Sequence, residues 1–163
     1  MTYFSHSNGK FSRVRQLNVL VATCVVLLQA GIATSDDTID LSAHQGNVVI
    51  VDFWASWCVP CRRSFPWLNS MHDRYGENGL VIIGVNLDQE LSAADQFLRE
   101  FPAKFRIHYD VNKELAKSFG VEAMPTSYLL GPDGEIRTTH YGFKVKKQDE
   151  YEAAIVEALT ELE

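Results

Sequence analysis

VVIVDFWASWCVPCRRSFP, residues 48–66, reads as a buried strand that runs straight into a reactive helix start. From Val48 to Phe53 every residue but Asp52 is apolar and four of the six are Val or Ile, the pattern of a strand covered on both faces. Cys58-Val59-Pro60-Cys61 follows where a helix should begin, because Pro fits a first turn whose N–H groups are unpaired anyway. Free N–H groups and the positive end of the helix dipole favour a thiolate, so Cys58 is the expected nucleophile. Cys61 lies one turn further on the same face, within disulfide reach, and is the expected resolving cysteine. Asp52 is an acid inside an apolar strand. Burial should raise its pKa and let it exchange a proton with Cys61 as a general acid/base.

Around this stretch the chain reads as alternating strands and helices. An apolar stripe through Phe65, Leu68, Met71 and Tyr75 predicts a helix ending near Gly76 and Gly79, and Leu80–Val85 is a second all-apolar strand. The two strands and their helix form a parallel βαβ unit. Ser92 with Asp95 resembles a capping box ahead of the face Ala94, Phe97, Leu98 and Phe101. Phe105–Tyr109 is a short strand, and Asn112–Phe119 a helix stopped by Gly120. Ser127–Leu130 and Glu135–Tyr141 are strands joined by Gly131-Pro132-Asp133-Gly134, a hairpin turn. A closing helix over about Lys146–Leu162 should cover the sheet. There is no internal repeat and no Gly-rich phosphate loop.

The motifs VDFWASWCVPC, Pro66 and Met124-Pro125-Thr126, taken together, resemble the thioredoxin superfamily. The fuller string WCVPCRRSFPWLN is similar to its exported TlpA/ResA-like thiol-disulfide oxidoreductases, over a span from about Leu41 to the C-terminus. The resemblance implies an α/β thioredoxin-like fold: a central mixed sheet flanked by helices, with a βα insertion, here Gln89–Val111, before a cis-Pro at Pro125. It also implies that Met124, Pro125 and Thr126 bind an extended substrate segment beside the disulfide, flanked by Trp57 and Pro60. The expected function is reduction of disulfides in exported proteins, apocytochrome c among the candidate substrates, with electrons drawn from a membrane donor and no cofactor. Members of the branch often carry an acid third after the second Cys, where this chain has Ser64.

The 163 residues suffice for one domain with a proper core. Residues 1–33 are expected to be a signal peptide or membrane anchor: Lys10, Arg13 and Arg15 precede the apolar run Leu17–Ala33, and Gly31-Ile32-Ala33 offers a cleavage site. Residues 34–46 read as a linker with a short edge strand near Thr38–Leu41, and residues 47–163 as the thioredoxin-like domain. The expected location is periplasmic, soluble after cleavage near Ala33 or held by residues 17–33. Thr23 is a poor neighbour for lipoprotein processing, so Cys24 is taken as part of the apolar run. The net charge of −6 becomes more negative beyond Ala33, since no acid precedes Asp36. That argues against nucleic acid or an anionic lipid surface as a partner, and leaves the membrane only to the N-terminal segment.

Two cysteines at this spacing admit other uses. A disulfide closing so short a loop is a poor staple, which disfavours a purely structural bond. A copper-chaperone module on the same fold would use two thiolates with a histidine, His108 or His140, but such proteins space their cysteines more widely, and no metal site is expected. Within the same chemistry, an oxidase or isomerase is the alternative. Val59 and Pro60 carry no charge to stabilise the Cys58 thiolate further, which favours the reductase. A peroxidase is disfavoured because the Pro and Thr that should precede a peroxidatic Cys are absent.

Overall fold

The computed structural model describes Met1 and residues 39–162. The readings placed on Leu17–Ala33, Cys24 and Thr38 lie outside the described residues. Among the described residues no helix is long and apolar enough to cross a membrane.

The all-apolar runs become the two inner parallel strands of a five-stranded mixed sheet. Strand β1 spans Val48–Trp54 and β2 spans Leu80–Asn86, paired in parallel, with β3, Arg106–Tyr109, parallel to β2. Antiparallel β4, Thr126–Leu130, lies on the other side of β1 and pairs in turn with β5, Ile136–Tyr141. The order is β3-β2-β1-β4-β5, so β1 is central, and every one of its residues is buried.

Helix α1, Cys61–Tyr75, links β1 to β2, and α2, Leu91–Glu100, links β2 to β3. Both crossovers step the same way across the sheet, and crossovers of parallel strands are right-handed, so both helices must fall on one face. They do. Val48, Ile50 and Trp54 pack there with Phe65 and Leu68 of α1, Phe97 of α2 and Ile155 of α4, Gln148–Leu159. The odd-numbered residues Val49, Val51 and Phe53 point to the opposite face, where Ala116 of the short α3, Glu114–Ser118, packs with Ile39. Strand alternation thus assigns Asp52 to the α1 face.

Three expectations are corrected. No strand forms at residues 39–41; Leu41–His44 is a 3₁₀ turn, because the Asp40 carboxylate accepts the Ser42 N–H at 3.0 Å and draws the backbone into a local turn. Ser92 does not cap α2, which begins at Leu91 after Glu90 with no side-chain cap; Asp95 instead accepts the Tyr109 hydroxyl at 3.4 Å. The helix expected over Asn112–Phe119 is trimmed, since Lys113 takes a left-handed φ of 58° and the buried Asp110 carboxylate accepts the Ala116 N–H at 2.8 Å. Gly120, at φ 66°, stops it as expected.

Phe65 ties the α1 face together. Its ring lies 4.9 Å from those of Trp54 and Phe97 and 5.4 Å from that of Phe105, joining β1, α1, α2 and the entry to β3. Phe65→Ala should cost about 3–5 kcal/mol, read as a lower denaturant midpoint at unchanged slope. A loss under about 1 kcal/mol would mean that the cluster does not carry this face.

Candidate active site

The edge between β1 and α1 builds the cysteine pair. After Trp54 the chain turns, and the Cys58 N–H bonds to the Ala55 carbonyl at 3.1 Å. Pro60 has helical angles, φ −63° and ψ −28°, and its carbonyl accepts the N–H groups of Arg63 and Ser64, so it serves the first turn as its ring geometry allows. Cys58 and Cys61 form a disulfide of 2.02 Å with Cα atoms 5.3 Å apart. The Cys61 N–H donates to Cys58 Sγ at 3.3 Å, the helix-start contact that would stabilise a Cys58 thiolate. Cys58 retains 3% exposure and Cys61 none, so an incoming disulfide can meet only Cys58.

Asp52 is fully buried and its pKa is pushed up to about 7 by desolvation, against which its hydrogen bond from Ser127 Oγ acts. That bond occupies Oδ1. Oδ2 has no partner among the described residues. A carboxyl near neutrality with one open oxygen, on the face covered by the helix that starts at Cys61, is suited to proton transfer.

The Met124–Pro125 peptide is cis, as the thioredoxin resemblance implied. Phe53 stands opposite Thr126, so Pro125 lies at the same end of the sheet as the cysteine turn. The Pro125 carbonyl accepts the Gly142 N–H at 2.7 Å. Thr126 is fully buried and donates its hydroxyl to the Ala123 carbonyl at 2.7 Å; it shapes this turn and presents no surface of its own. Trp57, 67% exposed, and half-buried Met124 are walls of one open cleft of about 560 Å³. Val59 is 61% exposed, and Pro60 half-buried. The two histidines weighed as metal donors stand on opposite edge strands, His108 on β3 and His140 on β5.

Two contributors were missed in the sequence. Buried Asp88 accepts the Ser56 N–H at 2.8 Å, the Ser56 hydroxyl at 2.9 Å and the Asn86 amide at 2.8 Å, which fixes the turn just ahead of Trp57 and Cys58. Its only sequence signal was an acid two residues past Asn86, at the end of an apolar strand. Ser127 gave none, since a serine early in a strand is unremarkable until the register sets it opposite Asp52.

The sequence model of the redoxin family matches residues 20–155. The chain belongs to the redoxin family. This redoxin is 33% identical over 114 residues to the thiol-disulfide oxidoreductase ResA of Bacillus thuringiensis subsp. konkukian, covering 69% of this chain and 66% of that protein. To ResA of Bacillus subtilis it is 27% identical over 103 residues, covering 63% and 58%. It therefore spans just under two thirds of the length of the curated relatives it matches. Among solved structures, a candidate thiol:disulfide interchange protein DsbE from Chlorobium tepidum is 41% identical, with a TM-score of 0.71 over 73% of this chain and 84% of that one. StoA from Bacillus subtilis is 29% identical, with a TM-score of 0.59 over 68% and 83%.

The raised pKa of Asp52 has a stability consequence. Between about pH 4 and pH 7 the unfolded carboxyl is ionised while the folded one keeps its proton, so the folded state loses stability as pH rises through this window and levels off above it. Asp52→Asn, which cannot ionise, should be more stable than wild type at pH 8, by at most roughly 4 kcal/mol, with the gain shrinking towards pH 4. Urea unfolding at both pH values reads this; a gain equal at the two would show that Asp52 does not titrate in this window.

Proposed function

We propose that this redoxin is an exported thiol-disulfide oxidoreductase that reduces disulfides in other exported proteins. The observation that carries the reading is the asymmetry of the pair: Cys58 keeps the only exposure and receives the Cys61 N–H on its sulfur, while Cys61 is sealed on the face that also holds Asp52. The ResA and DsbE likenesses support the same chemistry, and the basic flank and apolar run of residues 10–33 support export to the periplasm.

In the reducing direction the Cys58 thiolate attacks a substrate disulfide, forming a mixed disulfide and releasing one substrate sulfur as a thiolate. Asp52 then takes the Cys61 proton. The Cys61 thiolate attacks Cys58 Sγ, closing the protein disulfide and releasing the second substrate sulfur. Trp57, Val59 and Met124 supply apolar contacts for the substrate backbone near the disulfide, with Pro60, Pro125 and Thr126 fixing the shape of that surface. A membrane electron donor returns the pair to the dithiol. The absence of charge on Val59 and Pro60 supports the reducing direction over the oxidising one.

Cys61→Ser should leave Cys58 able to attack and unable to release, so exported proteins accumulate as mixed disulfides with this variant. Non-reducing electrophoresis of the exported fraction detects the adducts, and Cys58→Ser should form none. A Cys61→Ser protein that captures nothing would defeat the reading. A reduction potential of the pair near that of strong disulfide donors would reverse the direction and keep the residue roles.

A further inference from the structure

Asp52 is fully buried, so a proton taken from Cys61 must leave through the protein before the carboxylate can act again. The strand register shows where. Asp52 pairs directly with Ser127 across β1 and β4, and Ser127 pairs directly with His140 across β4 and β5. Directly paired residues point to the same side of a sheet with Cβ atoms about 5 Å apart, so the three form one transverse row on the α1 face. Toward β2 the row ends, since Asp52 is opposite Gly84, which has no side chain.

A hydrogen bond links one end of the row and a shared cavity the other. Ser127 Oγ is bonded to Asp52 Oδ1. Ser127 and His140 also line one small cavity of about 20 Å³, closed by Ile50, Leu68, Trp67 and Tyr151. That is room for about one water, and its polar neighbours are the serine hydroxyl and the imidazole. His140 is half-buried on an edge strand, so its ring spans the distance from this cavity to solvent. It packs on Tyr151 at 4.4 Å, and the charges facing it from α4 and the turn before α4 are Glu150 and Lys147, of opposite effect. Burial lowers its pKa, leaving a neutral ring with a lone pair free to accept.

We propose that Ser127 and His140 are a proton path between the buried Asp52 carboxyl and solvent. The proposal rests on the reading of Cys58 and Cys61 as a redox pair served by Asp52. In the step that closes the disulfide, Oδ2 takes the Cys61 proton, and a half-turn of the carboxyl presents it to Ser127. The hydroxyl accepts it and passes its own proton to the cavity water. The water passes one to His140, and the imidazolium releases it to solvent. Asp52 is again a carboxylate and one proton has left. The reverse sequence delivers the proton to Cys61 when the disulfide is reduced.

The test is single-turnover oxidation of the reduced protein by a small soluble disulfide, followed by tryptophan fluorescence at low buffer concentration and pH 6, where most of the Asp52 carboxyl holds a proton that must leave before it can take the one from Cys61. His140→Phe keeps the ring packed on Tyr151 and removes its nitrogens; Ser127→Ala removes the hydroxyl and Ser127→Thr keeps one. The closing step should slow about tenfold in His140→Phe and Ser127→Ala, a fraction of what a general acid/base contributes. Ser127→Thr should match wild type, and added imidazole should restore His140→Phe. The reduction potential of His140→Phe should stay at the wild-type value, because a path changes a rate and not an equilibrium. His140→Phe at the wild-type rate would overturn the path while leaving the oxidoreductase reading intact. So would a loss that imidazole does not restore or that comes with a shifted potential. A wild-type protein that exchanges no disulfide would overturn both.

Discussion

A carboxyl removed from water must be neutral, ion-paired or densely hydrogen-bonded, and among the described residues Asp52 has one hydrogen bond and no cation. The rest of the site follows from that constraint. β1 is buried along its whole length because two crossovers step away from it on one side and β4 pairs on the other, so an acid in it has no route to solvent of its own. The cost is offset by holding the proton near pH 7, where the carboxyl can take or give one. A more exposed strand would have left Asp52 ionised at neutral pH.

The same burial separates the two sulfurs. The β1 strand ends at Trp54, whose ring packs under Phe65 and Phe97, and the turn after it is pinned by Asp88 through the N–H and the hydroxyl of Ser56. That pinning leaves Cys58 at the rim and seats Cys61 in the core as the first residue of α1. Around the rim Trp57 and Val59 are exposed apolar side chains, with Arg62 and Arg63 exposed beside them, and the cleft beside Trp57 is shared with Met124 and with Glu90, Lys113, Lys117 and Glu122. Such a surface offers apolar contacts at Trp57, Val59 and Met124, with charges of both signs around them.

Much of this was legible in the residues because it rests on short-range rules. The run from Val48 to Phe53, the Pro between the cysteines and the lone acid in an apolar strand each carry their meaning in sequence. What was not legible depends on register or on competition between local bonds. Whether Ser127 or its neighbour stands opposite Asp52 is set by β1–β4 pairing, and a slip of one residue would have turned it to the other face. The edge strand expected near Leu41 lost to a two-residue turn around Asp40, and the Ser92 cap lost because Asp95 was drawn towards Tyr109.

Gly84 closes the β2 side of Asp52. A Cβ at Gly84 would come within 3.0 Å of Ile107 and Phe105 and 3.2 Å of Trp54 Nε1, so these groups already fill the space on that side. Any side chain at this position would push into the aromatic cluster. Close packing thus leaves β2 silent, and the one polar neighbour that the register grants Asp52 is Ser127. Ser127 also lines the cavity shared with His140, so the packing that protects the carboxyl on one side also fixes the side on which it can communicate with water.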